Sequence, residues 1–285
     1  MSTYRRKPSV SGVFYSSDKK QLVTELKGCF ENKVYGPGRL PPSDPVRKIY
    51  GIVSPHAGYL YSGGVAANGY YRVSSTRFSN VILVGPNHYG LGSNVATTMD
   101  GIWESPIGDV LVNPQVAKEI ASRSESMEID VFAHSRDHCL EVQIPFLLYI
   151  SDEFRIVPII LTNQDEYMAL EVGSAISDTV KERTANGEEC MLVASSDFTH
   201  YESNSEAHRK DSQLIKSILS LDIRAFYSTL RQYNVSACGY GAIATIMIAA
   251  KNLGATQGEL LRYATSGDVT GDKASVVGYA SIIFV

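Results

Sequence analysis

Four near-continuous apolar runs recur along the chain and predict strands that are covered on both faces. They extend from Val46 to Ser54, Asn80 to Gly85, Arg155 to Leu161 and Cys190 to Ala194. Runs of this kind, bounded by polar or turn residues, are typical of parallel sheets buried between helices. The pattern therefore predicts a parallel sheet at the centre of the protein.

Helical patterning fills most of the sequence between and after these runs. The predicted helices cover Ser62 to Val73, Asp165 to Arg183, Glu206 to Ser220, Asp222 to Tyr233 with an acidic N-cap, and the Ala- and Ile-rich segment Gly239 to Leu253. Two closing strands, Leu260 to Ser266 and Ser275 to Val285, are expected to be joined by a Gly-Asp turn region.

The order of these elements indicates one domain. The first two strands and the helix between them form a βαβ pattern, which implies a right-handed crossover. The proline-rich stretch from Tyr35 to Pro45 is expected to be a loop, and neither a linker nor an internal repeat interrupts the alternation that follows. We therefore predict a single three-layer α/β/α domain over residues 1–285, with a mostly parallel central sheet.

Composition narrows the functional classes. The 285 residues are 44% hydrophobic and 20% charged, with a formal net charge of −4, so neither nucleic acid nor an anionic membrane is an expected partner. No apolar run reaches membrane-spanning length, and the charged N-terminus lacks a following apolar stretch, so we expect a cytoplasmic protein. Neither a P-loop nor G-x-G-x-x-G occurs, so no nucleotide cofactor is predicted.

Two histidines follow the first two predicted strands directly. His56 lies in S-P-H-A-G-Y and His88 in G-P-N-H. Either residue alone is readily explained as a surface or capping histidine. Because the ends of successive parallel strands meet at one edge of a sheet, the pair predicts a shared site, and neutral imidazole is a common metal ligand.

A third polar string, S-S-D-F-T-H, follows the strand that begins at Cys190. Asp197 and His200 in this string could form an acid–base couple in which the carboxylate orients the imidazole. A helix-capping role for Asp197 is the alternative.

Two further segments carry reactive side chains. His138 and Glu141 precede Ile144-Pro145-Phe146 and are expected on one face of a starting helix. Cys238, in S-A-C-G at a predicted helix start, could be a soft metal ligand or a nucleophile, with a buried structural cysteine as the alternative.

Taken together, these motifs resemble the Memo family over nearly the whole chain. The resemblance rests on Arg6-Lys7-Pro8 with Gly12-Val13-Phe14-Tyr15, the P-H-A-G-Y and G-P-N-H strings, His138-x-x-Glu141, S-S-D-F-T-H, and Cys238-Gly239. The chain departs from the family pattern where Asp137-His138-Cys139 replaces a more usual Glu-His-Ser.

The resemblance implies the fold of class III extradiol dioxygenases, which hold non-haem iron with two histidines and a glutamate. It assigns His56, His88 and Cys238 as metal ligands, with the cysteine in place of the glutamate, and Asp197 and His200 to the same pocket. Such a set suits iron or copper, and zinc is an alternative.

Three functions stay open on this basis. The first is a metal-dependent redox enzyme in which His200, Asp197 and His138 act on the substrate or its protons. The second is a non-catalytic module that binds a small molecule or peptide, and the third is a zinc hydrolase. Tyr59, Tyr61, Asn87 and Glu141 are the predicted substrate-binding residues, and homo-oligomerisation stays open.

Overall fold

The protein is described by a computed structural model that covers residues 4–43 and 48–285. Its strands are β1 (Arg5–Arg6), β2 (Gly51–Ser54), β3 (Asn80–Pro86), β4 (Val95–Thr97), β5 (Ile102–Trp103), β6 (Val110–Leu111), β7 (Met127–Ile129), β8 (Arg155–Leu161), β9 (Cys190–Ser195), β10 (His200–Glu202), β11 (Gly258–Thr265) and β12 (Val276–Phe284). Its helices are α1 (Lys19–Glu31), α2 (Gly64–Val73), α3 (Pro114–Ser122), α4 (Ile144–Ile150), α5 (Glu166–Ala185), α6 (Asn204–Leu219), α7 (Ile223–Tyr233), α8 (Tyr240–Leu253) and α9 (Ser266–Thr270).

One large mixed sheet forms the centre of the molecule. Its strand order is β10-β12-β2-β9-β3-β8-β4-β7, and β11 also pairs with β12. The four central strands β2, β9, β3 and β8 are parallel, as the apolar runs predict. The pairings of β12 with β2 and of β4 with β8 are antiparallel, so the sheet is parallel at its centre and mixed at its flanks.

Alternate side chains of the central strands enter two different cores. In β3, Ile82 and Val84 pack in the core that also contains residues of α3, α5, α6, α7 and α8, whereas Val81 and Leu83 pack in the core that contains residues of α1, α2 and α4. Because successive side chains of a strand point to opposite faces, both faces of the sheet are covered. The chain is therefore a three-layer α/β/α domain.

The predicted element boundaries agree with most of the observed ones. β8 has the predicted limits, and Asp165 and Asp222 cap α5 and α7 by accepting hydrogen bonds from backbone N–H groups. The predicted start of the first strand lies partly outside the described residues, and β2 begins at Gly51. The expected turn region before β12 begins with the short helix α9.

A smaller sheet attaches the N-terminal arm, defined here as residues 4–17, to the domain. β1 pairs in parallel with β5, which pairs in antiparallel fashion with β6. The sequence patterns did not predict these two-residue strands, because such short elements carry no periodic signal. Within the described residues, no helix combines the length and apolar character needed to cross a membrane.

Candidate metal centre

The parallel strands bring three polar loops to one edge of the sheet. His56 follows β2, His88 follows β3, and Asp197 to His200 follow β9. The loop between α7 and α8 adds Cys238 beside them. These loops enclose a cleft of about 460 Å³, whose lining includes Phe14, His56, His88, His138, Asp197, His200, Tyr201, Ser236, Cys238 and Tyr279.

His56, His88 and His138 form a compact cluster in this cleft. One ring nitrogen from each lies within 4.8 Å of those of the other two. The rings of His88 and His138 stack with centroids 4.8 Å apart, and the ring of His56 meets them edge-on at 5.2 and 5.5 Å. The sequence placed His138 among the catalytic residues, and the structure places it beside the two predicted histidine ligands.

The hydrogen bonds of Ser195 fix the tautomer of His56. The Ser195 hydroxyl donates its one proton to the carbonyl of Cys139 at 2.7 Å and accepts from Gln143 Nε2 at 2.8 Å. A hydroxyl has a single donor, so its 2.9 Å contact with His56 must be donated by the Nδ1–H of the imidazole. His56 Nε2 is therefore unprotonated and can act as an acceptor or a ligand.

Asp137 fixes His88 in the same way. Its carboxylate lies 3.0 Å from His88 Nδ1 and also accepts the His88 backbone N–H at 2.6 Å. Burial alone would raise the Asp137 pKa, but the hydrogen bonds from His88 and from the Cys139 backbone hold that pKa well below its usual range. A carboxylate that stays ionised keeps the proton on Nδ1, so His88 Nε2 is left free to bind a ligand.

Two of the three imidazoles are biased towards the neutral form. Burial lowers the pKa of His56 well below its ordinary value, and nearby His138 and His88 lower it further. Burial and the neighbouring His88 also lower the pKa of His138. Metal binding requires neutral imidazole, so this environment favours the ligand form.

Cys238 lies next to His56. Its sulfur is 3.1 Å from His56 Nε2, and it accepts the backbone N–H of Asp197 at 3.3 Å. Burial and the nearby Asp197 carboxyl raise the pKa of the thiol well above its ordinary value, so without a bound cation the thiol keeps its proton. The predicted ligand role of Cys238 stays a prediction, and its contact is with His56.

The ring of His200 is held by Ser236 and not by Asp197. The His200 backbone N–H donates to Ser236 Oγ at 2.8 Å, and its ring Nδ1 lies 2.9 Å from the carbonyl oxygen of Ser236. A carbonyl only accepts, so Nδ1 carries the proton and Nε2 is available. Asp197 instead accepts the His56 backbone N–H at 2.8 Å, and burial raises its pKa to about 6.

Two of the predicted substrate-binding residues are buried in structural contacts. The Tyr59 hydroxyl donates to the carbonyl of Val142, and the side chain is only 3% exposed. Glu141 forms a buried ion pair with Arg6 at 2.8 Å and also accepts from the hydroxyl of Tyr15. Neither residue lines the cleft, because the N-terminal arm covers this part of the domain.

The other two predicted substrate-binding residues lie near the cleft without lining it. The Asn87 amide donates to the carbonyl of Leu91 and to the hydroxyl of Thr162, which fixes the turn before His88. Tyr61 is 40% exposed and lines an adjacent groove.

Sequence reasoning missed the residues that hold the histidines. Ser195, Gln143 and Ser236 carry no distinguishing pattern, and their partners are distant in sequence. Asp137 had a weak signal, since a carboxylate beside a histidine of a candidate site often orients another imidazole.

The donor set fits a divalent transition metal. His56 and His88 each carry an unprotonated Nε2, that of His56 beside the Cys238 sulfur, and the ring of His138 completes a set of three nitrogen donors at an open cleft. Sites with three protein ligands and an open position are typical of catalytic metal centres. The arrangement could therefore hold one ion and leave room for a substrate.

Comparison with known proteins matches nearly the whole chain to one family. A family model described as Memo-like protein matches residues 6–283. A MEMO1 family protein of Nitrosopumilus maritimus is 52% identical over 281 residues, covering 98% of this chain and 99% of the relative. MEMO1 family proteins of Methanothermobacter thermautotrophicus and Methanopyrus kandleri are 41% and 43% identical, covering 97% and 98% of this chain and 99% and 98% of the relatives. These names state a family and no reaction.

Proposed function

This chain belongs to the Memo family, and from that premise we propose that it is a metal-dependent oxidoreductase acting on a small molecule. The proposal rests mainly on the three convergent imidazoles of His56, His88 and His138. Two of them are held in the ligand tautomer by hydrogen bonds to buried side chains, as metal-binding histidines usually are. Such an arrangement is costly to build for packing alone, because it buries the imidazole of His56 and the carboxylate of Asp137 beside an open cleft.

The thiol of Cys238 favours redox chemistry over hydrolysis. Its sulfur lies 3.1 Å from His56 Nε2, within reach of an ion that this nitrogen would bind. Imidazole and thiolate donors together suit copper and iron. An iron or copper ion held by the three histidines, with Cys238 as a fourth donor, would supply one-electron redox chemistry.

The remaining residues of the cleft would handle protons and position the substrate. His200, fixed through Nδ1 by Ser236, presents a bare Nε2 as a proton acceptor. Asp197 lines the same cleft, and burial raises its pKa to about 6, so its carboxyl can exchange a proton near neutral pH. Phe14 and Tyr279 provide apolar walls for an organic substrate.

Metal analysis of one double variant and several single variants would identify the ligands. Untagged protein loaded with Fe(II), Cu(II) or Zn(II) and desalted should retain about one equivalent. His56→Ala/His88→Ala should lose the metal, and His138→Ala should weaken its binding by a larger factor than Cys238→Ser. His208→Ala, which changes a half-exposed histidine outside the cleft, is the matched control. Full retention of metal by the double variant would contradict the proposal.

A zinc hydrolase is the second candidate, and the three nitrogen donors are the observation that favours it. Histidine triads hold zinc in several hydrolytic and hydration enzymes. Activity measured in air and under argon distinguishes the two functions. A redox enzyme consumes oxygen with a reducing substrate and stops when oxygen is removed. A zinc hydrolase cleaves esters or amides at the same rate in both atmospheres.

A further inference from the structure

A second groove adjoins the candidate metal centre. It encloses about 620 Å³ between the N-terminal arm, the start of α1 and the turn after His56. Its lining includes Val13, Phe14, Ser16, Glu25, Leu60 and Tyr61. Phe14 lines both this groove and the metal cleft, and its ring contacts His138 edge-on at 4.9 Å, so the two spaces share a wall.

The walls of the groove expose large apolar side chains to solvent. Val13 is 80% exposed and Leu60 is 71% exposed, and Tyr61 adds a partly exposed ring. Within the described part of the chain, Val13, Leu60 and Tyr201 are the three most exposed large apolar side chains, and Tyr201, at 78%, lies at the rim of the metal cleft. Apolar side chains gathered at one place on a surface, and not scattered over it, mark a binding site.

Glu25 supplies one negative charge inside this groove. It is half-buried on α1, and one of its oxygens accepts the backbone N–H of Ser16 at 3.0 Å. No lysine, arginine or histidine of the described residues forms an ion pair with it, although the neighbouring Glu31 pairs with Lys27. Burial raises the pKa of the Glu25 carboxyl, as expected for a carboxylate that has lost water without gaining a cation.

The charge of the second groove disfavours an anionic ligand. Among the described residues, neither the groove nor the metal cleft is lined by a lysine or an arginine, whereas Glu25 and Asp197 line one each. A phosphate or carboxylate in the groove would face Glu25 without a compensating charge. An ammonium group would gain the one favourable charge contact that the groove offers.

We propose that this groove is a binding subsite for an organic amine, with the ammonium group on Glu25 and an aromatic or aliphatic body along Leu60 and Tyr61. The class of ligand is an arylalkylamine or a similar small amine, because one carboxylate and a short apolar wall match one cation and one apolar group. The proposed contact with Glu25 does not depend on the proposed function. Only an extension of the aryl end past Phe14 towards the histidines rests on it.

Three probes that share a phenol ring but differ in charge would test this subsite. Tyramine carries an ammonium, 4-ethylphenol is neutral, and 4-hydroxyphenylacetate carries a carboxylate. Binding to the full chain is followed by NMR at pH 7.5, as purified and again after chelation. We expect tyramine to bind about three- to tenfold more tightly than 4-ethylphenol and the carboxylate to bind most weakly, from the strength of a partly screened charge contact.

Variants on α1 and at Leu60 distinguish the charge contact with Glu25 from apolar binding. Glu25→Gln should abolish the preference for tyramine over 4-ethylphenol, and the control Glu31→Gln, an exposed glutamate of the same helix, should retain it. Leu60→Ser should weaken the binding of all three probes by a similar factor. Equal binding of the three probes, no binding of any at millimolar concentration, or an unchanged preference in Glu25→Gln would overturn the subsite. Because turnover is not measured, these results are independent of whether the metal centre is a redox site.

Discussion

The two strand-end histidines and His138 reach the same cleft from differently built regions. His56 and His88 follow β2 and β3 directly, and each has its Nδ1 fixed by a buried side chain. His138 lies on the loop before α4, and its ring is held by contacts with His88 and Phe14. The parallel sheet positions the first two residues, whereas the third depends on how its loop is anchored.

That anchor is the N-terminal arm. The buried guanidinium of Arg6 pairs with Glu141, which follows His138, and also donates to the backbone carbonyls of His134 and Asp137, which precede it. Its plane also lies over the ring of Trp103 at 4.3 Å. The position of His138 therefore depends on a residue more than 100 positions earlier in the chain. Substitutions around the strand-end histidines should therefore have different effects from substitutions in the N-terminal arm that holds the His138 loop.

The largest effect is expected from breaking the anchor. Arg6→Ala should destabilise the protein by about 3–5 kcal/mol, because it leaves the Glu141 carboxylate buried without its partner. Arg5→Ala is the matched control, since its two ion pairs lie at the surface, where solvent weakens them, and a much smaller loss is expected. Urea unfolding of both variants measures the difference, and similar losses for the two would show that the arm is not an anchor.

In the metal-free protein, Asp197, which follows β9, should make the folding stability depend on pH. Its folded pKa of about 6 lies above the ordinary value of 3.8, so the folded state favours the protonated form. This contribution to stability is on the order of 2–3 kcal/mol. It is complete below about pH 4 and is lost as the pH rises through about 6. Asp197→Asn should therefore gain stability relative to wild type between pH 4 and pH 8. A difference independent of pH would contradict the assignment.

Asp137 connects the two regions, because it lies on the His138 loop and holds the ring of His88. Asp137→Asn should lower metal affinity by about 10–100-fold while the ligands themselves are retained, as for other residues that orient metal-bound histidines. Competition with a chromophoric chelator measures this affinity. Asp130→Asn, a change on a neighbouring carboxylate that caps a loop around Ser93, should leave it unchanged.

The smallest effect is expected at Ser195. Ser195→Ala removes the acceptor for His56 Nδ1 and for Gln143 Nε2, and it should cost about 1–3 kcal/mol in stability. Metal affinity should fall by about tenfold, because the imidazole is no longer held in one tautomer. Calorimetry of the variant with and without metal separates the two quantities. An unchanged affinity would show that packing alone orients His56.

The sequence was sufficient for the central strands and for the meeting of His56, His88 and Asp197. Apolar runs predict parallel strands, and the ends of such strands meet at one edge of a sheet, so residues directly after them converge. The sequence did not show that Tyr59 and Glu141 lie outside the lining of the metal cleft. Their position beside site motifs predicts substrate binding, whereas both are buried and both contact Tyr15 of the N-terminal arm.

The amino-acid sequence by itself thus determined the parallel core and which histidines follow its strands, because these features depend on local periodicity. The tertiary structure decided the rest: the third histidine of the cluster, the tautomers of His56 and His200, and the groove beside Phe14. Each of these depends on hydrogen bonds or packing between segments far apart in the chain, such as Arg6 with Glu141 and His56 with Ser195. Local patterns carry no information about such pairs until the chain is folded.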